Sequence, residues 1–271
     1  MGEVIVITSG KGGVGKTTTT ANLGLGLAKL GRSVVLIDTD IGLRNLDLIM
    51  GLENRIVYNL VDVTEGRCRI KQALIKDKRT PNLYLLPSAQ TKDKTAVTPE
   101  QMKKLTEELR EEYDYVLLDC PAGIEQGFKN AIAGADRALL VTTPEISSVR
   151  DADRVIGLLN EAKIHKTQLI INKIRPNMVK RDDMMSSKDV AALLDLELIG
   201  VAPDDENIVI SANKGEILAG HDTPAGCAYM NMSRRVDGET VPWLNLNKRR
   251  HIFGRLFSGS PNRYGGEHVY S

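Results

Sequence analysis

The feature that most constrains this chain is the stretch Gly-Lys-Gly-Gly-Val-Gly-Lys-Thr at residues 10–17. It fits the pattern G-x-x-x-x-G-K-[ST], and it lies between a short apolar run (residues 4–8) and a stretch of helical length (residues 16–30) that ends at Gly31. Glycines let successive backbone N–H groups point into one space at the positive end of a helix, and such a space binds anions. A strand, this loop and a helix in that order predict a phosphate-binding loop.

The predicted nucleotide contacts in this loop come from consecutive residues. They are Gly10, Lys11, Gly12, Gly13, Val14, Gly15, Lys16, Thr17 and Thr18. Lys16 is expected to reach the β- and γ-phosphates, and the Thr17 hydroxyl is expected to bind Mg²⁺. A chance glycine-rich turn is the alternative, but such a turn would not require the flanking strand, lysine, threonine and helix together.

Short apolar runs alternate with stretches of helical length along most of the chain. The runs are rich in Val, Ile and Leu without polar alternation, as expected for strands covered on both faces. They occupy residues 4–8, 33–37, 83–86, 115–119, 138–142, 168–172 and 198–201, and the predicted helices occupy residues 16–30, 99–112, 149–163 and 187–194. We therefore predict an α/β fold in which residues 1–240 form one P-loop NTPase-type domain, with a parallel, largely doubly wound sheet between two layers of helices.

The composition argues against several classes of protein. The chain has 271 residues, and its 36 Lys and Arg residues balance 35 Asp and Glu residues, so the net charge predicts no polyanionic partner. Cys68, Cys120 and Cys227 are widely spaced, which argues against a disulfide framework or a zinc site and fits a reducing compartment. No apolar run approaches the ~20 residues of a spanning helix. Because a strand is predicted from residue 3, we expect neither a signal nor a transit peptide.

Carboxylates follow two of the predicted strands. Asp38 and Asp40 come at the end of the second run, and Asp119 ends the fourth. In an open parallel sheet the carboxyl ends of the strands share one edge, so these side chains are expected to face the same crevice as the phosphate loop. Mg²⁺ prefers oxygen ligands. A single aspartate there could equally be a turn or a helix cap, whereas three at one edge predict a functional site.

The second lysine of the loop, Lys11, is not required for phosphate binding, and alone it would be a solvated surface charge. With it, the loop matches K-G-G-x-x-x-K-[ST], and the chain resembles the deviant Walker A family of ATPases. The resemblance implies hydrolysis of ATP with Mg²⁺ in a nucleotide-sandwich dimer, in which Lys11 reaches the phosphates held by the partner. Lys11 and Lys16 would then both act in catalysis.

The resemblance also implies roles for the aspartates. Asp119 would hold Mg²⁺ through water, Asp40 would position the attacking water, and Asp38 would support the metal and its loop. The metal residues are therefore Thr17, Asp38 and Asp119.

For the adenine base, Asn172, Pro203 and Asp205 occupy the places that contact it in relatives. Lys173 stands where many relatives have arginine, so a stacking role there is doubtful.

Longer stretches narrow the resemblance to the MinD branch of this family. They occupy residues 38–55, 72–79, 86–94, 119–127 and 144–154, and residues 175–190 are closest to cyanobacterial and plastid versions. The resemblance implies a homodimer that binds an anionic membrane surface when ATP-bound. It also implies a MinC-type division inhibitor that the dimer recruits and a MinE-type activator of hydrolysis, so that the cycle positions the division site. The protein would act in the cytoplasm and on the inner face of the cell membrane, or in the stroma and at the inner envelope of a plastid.

The C-terminal region has the pattern of a membrane-binding helix. Wound at ~100° per residue, its apolar side chains fall mainly on one side and its cations on the other. The predicted membrane contacts are Leu246, Lys248, Arg250, Ile252, Phe253, Arg255, Leu256 and Phe257. We assign residues 241–258 to membrane targeting and residues 259–271 to a disordered tail. A terminal helix docked on the domain is the alternative.

Three other functions share parts of this pattern. A ParA-type DNA-partition ATPase has the same loop but would need a basic surface on the folded domain, and no specific nucleic acid is expected here. A nitrogenase iron-protein-like reductase would need two cluster-ligating cysteines, and Cys120 has no convincing partner. A scaffold that binds ATP with little turnover would be distinguished by its hydrolysis rate.

Overall fold

The structure, a computed structural model, describes residues 1–92 and 94–246. Its strands are β1 (Glu3–Thr8), β2 (Val34–Asp38), β3 (Ile75–Lys76), β4 (Leu83–Leu86), β5 (Tyr115–Asp119), β6 (Arg137–Thr142), β7 (Thr167–Ile174) and β8 (Glu197–Pro203). Its α-helices are α1 (Lys16–Lys29), α2 (Leu46–Met50), α3 (Leu60–Thr64), α4 (Ile70–Ala73), α5 (Pro99–Glu112), α6 (Gln126–Ile132), α7 (Ile146–Glu161), α8 (Pro176–Val179), α9 (Ser187–Leu194), α10 (Asn207–Ala212) and α11 (Pro224–Val236). Short 3₁₀ turns span Glu53–Arg55 and Lys94–Ala96.

One sheet organises the described part of the chain, with the strand order β3-β4-β2-β5-β1-β6-β7-β8. All neighbouring strands are parallel except β3, which runs antiparallel to β4. Alternate residues of each central strand point to opposite faces, and both faces are covered. Val4 and Val6 pack in the layer with α5 and α7, whereas Ile5 and Ile7 pack in the layer with α1 and α11. The predicted doubly wound α/β fold is confirmed.

Local signals set several element ends as predicted. Thr98 caps α5, because its hydroxyl accepts from the Gln101 N–H at 3.3 Å while the Gln101 side chain accepts from the Thr98 N–H at 2.8 Å. Pro99 follows in the first turn. Gly31 takes a φ of 89° just after α1, the left-handed conformation that commonly ends a helix. The predicted helix at 149–163 instead begins at Ile146, because Glu145, the residue before it, is still extended and its carbonyl accepts from the Val149 N–H.

The sheet places the candidate site at one edge. The loop after β1 lies between the ends of β5 and β6, since β1 pairs with both strands. Asp38 is the register partner of Asp119 where β2 meets β5. Among the described helices, none is long and apolar enough to cross a membrane. Of the predicted membrane contacts only Leu246 lies within the described residues; Lys248, Arg250, Ile252, Phe253, Arg255, Leu256 and Phe257 lie outside them.

Candidate functional site

The phosphate loop has the backbone geometry that anion binding requires. Gly13 and Gly15 have φ values of 77° and 97°, in the region that side chains disfavour, and Gly15 leads directly into α1. The Ser9 hydroxyl donates to the Lys11 carbonyl at 2.8 Å and closes the start of the loop. Lys16 is only 7% exposed at the helix start. The loop thus presents helix N–H groups and a buried cation to one space, as phosphates need.

Gly15 also allows a close approach to the end of β7. A Cβ atom on Gly15 would lie 2.2 Å from Asn172 Nδ2, the atom that donates to the Val14 carbonyl at 2.8 Å. Asn172 therefore holds the phosphate loop against the strand end where the base is expected. The role of Asn172 in base contact stays a prediction.

We expect Gly15→Ala to weaken nucleotide binding at least about 100-fold, because it strains a positive φ and displaces Asn172. Gly31→Ala is the matched control, since Gly31 also has a positive φ but nothing lies near its added Cβ. Titration of both variants with a fluorescent ATP analogue measures the difference. Equal losses in the two variants would show that backbone strain, and not the contact with Asn172, sets the effect.

Two buried carboxylates lie side by side next to this loop. Asp38 is 1% exposed and Asp119 is 2% exposed, and they are register partners on adjacent parallel strands. Burial raises the pKa of both groups, and for Asp119 the charge of Asp38 raises it further. The Thr20 hydroxyl donates to Asp119 Oδ1 at 3.2 Å, and the side chain of Thr17 counteracts the rise in the pKa of the same carboxyl. Lys16 partly offsets the charge of Asp119. Two buried carboxylates beside a threonine hydroxyl still form a fitting place for a divalent cation.

The donor set suits Mg²⁺ better than a metal held by protein alone. Within the described residues no group of three or more His, Cys, Asp or Glu side chains could hold a metal ion. Mg²⁺ keeps several waters and takes phosphate oxygens, so one hydroxyl and one nearby carboxylate are sufficient protein ligands. Thr17 and Asp119 would hold the ion.

Asp38 is mainly a support for the loop that follows β2. Its Oδ1 accepts from the Asp40 N–H at 2.9 Å, and its Oδ2 accepts from the N–H groups of Asn45 and Leu46 at 3.1 Å each. These bonds fix the backbone on which Asp40 stands. The predicted part of Asp38 in supporting the metal and the loop therefore has a physical basis on the loop side.

Lys11 does not point into its own phosphate loop. Its Nζ donates to the Ser147 hydroxyl at 3.2 Å and lies 3.7 Å from Glu145, at the start of α7. The side chain is 43% exposed, so the ion pair with Glu145 is a weak surface contact. Lys11 is thus held loosely and is available to another acceptor.

Apolar side chains are exposed around Lys11 and the strand ends. Leu43 is 66% exposed, Ile146 is 81% exposed, and Ile124 is also exposed. Each follows the carboxyl end of a different strand, so they lie on the same edge of the sheet as the phosphate loop. Exposed apolar groups beside a binding site are typical of a surface that pairs with another protein.

Two other side chains lie beside Asn172 and the phosphate loop: Lys173, for which a stacking role was doubtful, and Tyr229, which the sequence did not indicate. Lys173 has a φ of 57° and donates from Nζ to the Gly13 carbonyl at 2.8 Å, so it binds the loop and does not offer a stacking plane. The Tyr229 hydroxyl of α11 donates to Asn172 Oδ1 at 3.5 Å. Tyr229 carries no recognisable motif, and only the fold brings it here.

The loop after β8 is held by its own side chain. Asp205 Oδ2 accepts from the Ala225 N–H at 3.0 Å, and its Oδ1 accepts from Asn207. Pro203, the last residue of β8, lies next to Ile174 in register, close to Asn172. Base contacts by Pro203 and Asp205 stay predictions.

The environments of the three cysteines differ. Burial raises the pKa of the Cys120 thiol to about 12. All three cysteines are free, and Cys120 alone is buried.

Known proteins with similar sequences share the family suggested by this site. Residues 2–174 match the family described as AAA domain. The chain is 59% identical over 252 residues to the septum site-determining protein MinD of Bacillus subtilis, covering 92% of this chain and 94% of that protein. It is 56% identical over 248 residues to MinD of Synechocystis sp., covering 91% and 93%.

Solved structures share the fold. The MinC:MinD cell division protein complex of Aquifex aeolicus aligns with a TM-score of 0.84 at 50% identity, covering 89% of this chain and 98% of that chain. MinD of Pyrococcus horikoshii complexed with Mg-ADP aligns with a TM-score of 0.80 at 29% identity, covering 88% and 97%. On sequence and fold together, the chain belongs to the MinD family of septum site-determining proteins.

Proposed function

We propose that this chain is a Mg²⁺-dependent ATPase that dimerises when it binds ATP, associates with the membrane as a dimer and recruits a division inhibitor there. In this cycle, hydrolysis stimulated by an activator returns the chain to the monomeric state. The observation that carries the proposal is the direction of the Lys11 side chain, which points away from its own phosphate loop to the start of α7, beside the exposed Ile146. A cation in that position suits phosphates presented by a second copy.

The residues at the carboxyl ends of the strands would each have a role in ATP hydrolysis. The N–H groups of the loop and Lys16 would bind the phosphates, and Thr17 and Asp119 would hold the ion. Bound Mg²⁺ would neutralise charge on the phosphate oxygens. Asp40 stands on a backbone that Asp38 fixes, as a residue that orients water must. Lys11 of the second copy would stabilise the charge that develops on the transferred group.

The dimer face would be the edge that carries the phosphate loop. Leu43, Ile124 and Ile146 are exposed there and would be buried between two copies. Lys11 would exchange its weak contacts with Ser147 and Glu145 for the partner's phosphates. Dimerisation then depends on nucleotide, because the phosphates supply the charge that Lys11 binds.

Membrane association would depend on that dimerisation. The basic, apolar segment 248–257 begins just beyond Leu246, the last described residue. One such segment binds membrane weakly, but two on one dimer raise avidity by about 10²–10⁴-fold. The partners would be a MinC-type inhibitor, as in the Aquifex complex, and a MinE-type activator.

Vesicle binding in three nucleotide states tests the proposal. With vesicles rich in phosphatidylglycerol, the full chain is expected to co-sediment at least about tenfold more with Mg-ATP than with Mg-ADP or without nucleotide, because only the dimer presents two segments. A chain ending at Leu246 should show no increase in co-sedimentation with Mg-ATP. The matched variant Ile252→Glu with Phe253→Glu should do the same while it still binds ATP.

Binding to DNA in place of vesicles would contradict the proposed membrane association. A DNA-partition ATPase would bind duplex DNA with ATP and would release it steeply as salt rises. If the full chain did this and ignored the vesicles, the assignment to membrane association would be wrong.

A further inference from the structure

A groove of about 470 Å³ lies at the end of the sheet that β8 forms. This volume is in the range of small-ligand sites. The floor and walls are largely apolar and come from β7, α8, α9, β8, α11 and the C-terminal stretch. The apolar residues that define it are Ile174, Val179, Leu198, Val201, Trp243 and Leu246.

The side wall of the groove is held in place by Arg235. Its guanidinium lies 4.1 Å from the centre of the Trp243 ring and donates to the carbonyls of Val241 and Pro242 at 2.9 and 3.0 Å. A further bond reaches the Ile199 carbonyl at 3.3 Å. Trp243 is 55% exposed even so, and its ring faces the groove. The contacts of Arg235 therefore hold this wall in place, and part of the Trp243 ring stays exposed to solvent.

The charged groups that line the groove are all cations in the described part of the chain. They are Lys180 and Lys188 on one side and Arg235 on the other. The hydrogen bonds of Arg235 go to carbonyl oxygens, which leave its positive charge uncompensated. Asp183 and Asp189 are close by in the sequence but do not line the groove: Asp183 pairs with Arg181 at 2.8 Å, and Asp189 accepts a hydrogen bond from the lining residue Ser186. An occupant should therefore combine an apolar body with a negative charge.

Charge also decides against the chain's own C-terminal segment as the occupant. Residues 248–257 contain four basic side chains and no acidic one. Placing them against Lys180, Lys188 and Arg235 would bring like charges together, which costs free energy. The segment does begin at the groove, since Leu246 lines it. If that segment binds the membrane, the groove is therefore close to the membrane surface.

We propose that this groove binds one anionic phospholipid, with acyl carbons against the apolar floor and the phosphate between Lys180, Lys188 and Arg235. It would add a lipid-selective contact to the membrane association proposed above, on which its physiological use rests. Lipid binding in the groove does not itself need the C-terminal segment. Its selectivity for anionic lipid follows from the lysine rim, since each basic residue near a lipid phosphate strengthens binding.

Trp243 provides a local readout, because it is the single tryptophan of the chain. We would titrate the full chain with dihexanoyl phosphatidylglycerol below its micelle concentration and follow Trp243 fluorescence. A saturable blue shift is expected, with at least about tenfold weaker response to dihexanoyl phosphatidylcholine. No saturable response, or equal response to both lipids, would overturn the proposal.

Charge variants test the rim. Lys180→Glu with Lys188→Glu should weaken the phosphatidylglycerol response at least about tenfold, whereas Lys180→Arg with Lys188→Arg should preserve it. Both lysines are exposed, so the fold and Mg-ADP affinity should not change. An unaltered response in the glutamate variant would sink the assignment.

The tail variant separates this proposal from the proposed function. Ile252→Glu with Phe253→Glu should abolish ATP-dependent vesicle binding and leave the Trp243 response to monomeric lipid intact. If the tail variant shifts Trp243 emission in the absence of lipid, the segment itself fills the groove and the lipid assignment is wrong. If wild-type chain fails to bind vesicles but still gives the selective response, the groove stands and the membrane cycle does not.

Discussion

Replacing Lys11 with alanine should lower ATP turnover, measured with lipid and activator present, by about 10³-fold or more. A cation supplied to the transferring phosphoryl group from outside the binding subunit contributes about that much to the rate in related phosphate-transfer sites. Mg-ADP affinity of the isolated chain should change less than about threefold, because Lys11 contacts Ser147 and Glu145 and not its own loop. Steady-state phosphate release and ADP titration measure the two quantities.

Ser147→Ala is the matched control for Lys11→Ala. It removes the hydroxyl that holds Lys11 in the single chain but leaves the lysine itself. Dimerisation, followed by light scattering, should then need no more ATP than in the wild type. If Lys11→Ala kept its stimulated turnover, or lost ADP affinity to the same extent as turnover, the placement of Lys11 in the partner's site would be wrong.

The sequence predicted the central strands well because burial dictates their composition. The runs at residues 83–86 and 115–119 coincide with β4 and β5, in which all residues but the partly buried Tyr84 and Tyr115 are buried. By contrast β3 has only two residues, too few to form a pattern. Helix α11 was not predicted, because Gly226, Asn231 and Ser233 interrupt its apolar spacing. Such a helix is stabilised by the surface it covers and not by its own propensities.

The site was predictable where residues adjacent in sequence act together. The phosphate loop and the strand-end aspartates need only a strand, a turn and a helix in order. The contacts of Lys173 with the Gly13 carbonyl and of Tyr229 with Asn172 join residues that are far apart in the chain. No local pattern encodes them, so they required the fold. Lys11 was the most specific signal in the sequence, but its contacts with Ser147 and Glu145 at the start of α7 also depend on the tertiary structure.

Asp119→Asn should stabilise the metal-free, nucleotide-free chain while removing its response to Mg²⁺. Burial and the neighbouring Asp38 raise the pKa of Asp119, so the ionised pair disfavours the folded state at neutral pH. An asparagine oxygen can still accept from the Thr20 hydroxyl, whose bond is retained. We expect a gain of about 2 kcal/mol near pH 7.5, roughly 5 °C in melting temperature for a chain of this size.

The stability gained in Asp119→Asn should depend on pH in a defined direction. A carboxyl whose folded pKa is raised contributes stability below its unfolded pKa of about 4, and that contribution is lost as pH rises through the raised value. The advantage of Asp119→Asn should therefore grow from pH 4.5 to pH 7.5 in chelator-treated protein.

Asp114→Asn is a control of opposite sign. Two hydrogen bonds from Ser33, at 2.7 and 2.8 Å, lower the pKa of Asp114. This carboxylate therefore stabilises the fold above its unfolded pKa, and its contribution is lost as pH falls through the lowered value. Asp114→Asn should destabilise the chain at neutral pH and should lose that penalty in acid.

Added Mg-ATP should reverse the order of wild type and Asp119→Asn. In the wild type the cation compensates the buried carboxylates, so the melting temperature should rise well above that of the metal-free chain. In Asp119→Asn one charge of the pair is gone, and the rise should be less than half as large. A variant that is less stable than wild type at every pH without metal would show that Asp119 is a structural hydrogen-bond acceptor. A variant that is more stable alone and less responsive to Mg²⁺ shows that the fold gives up stability in order to hold two buried charges ready for a cation.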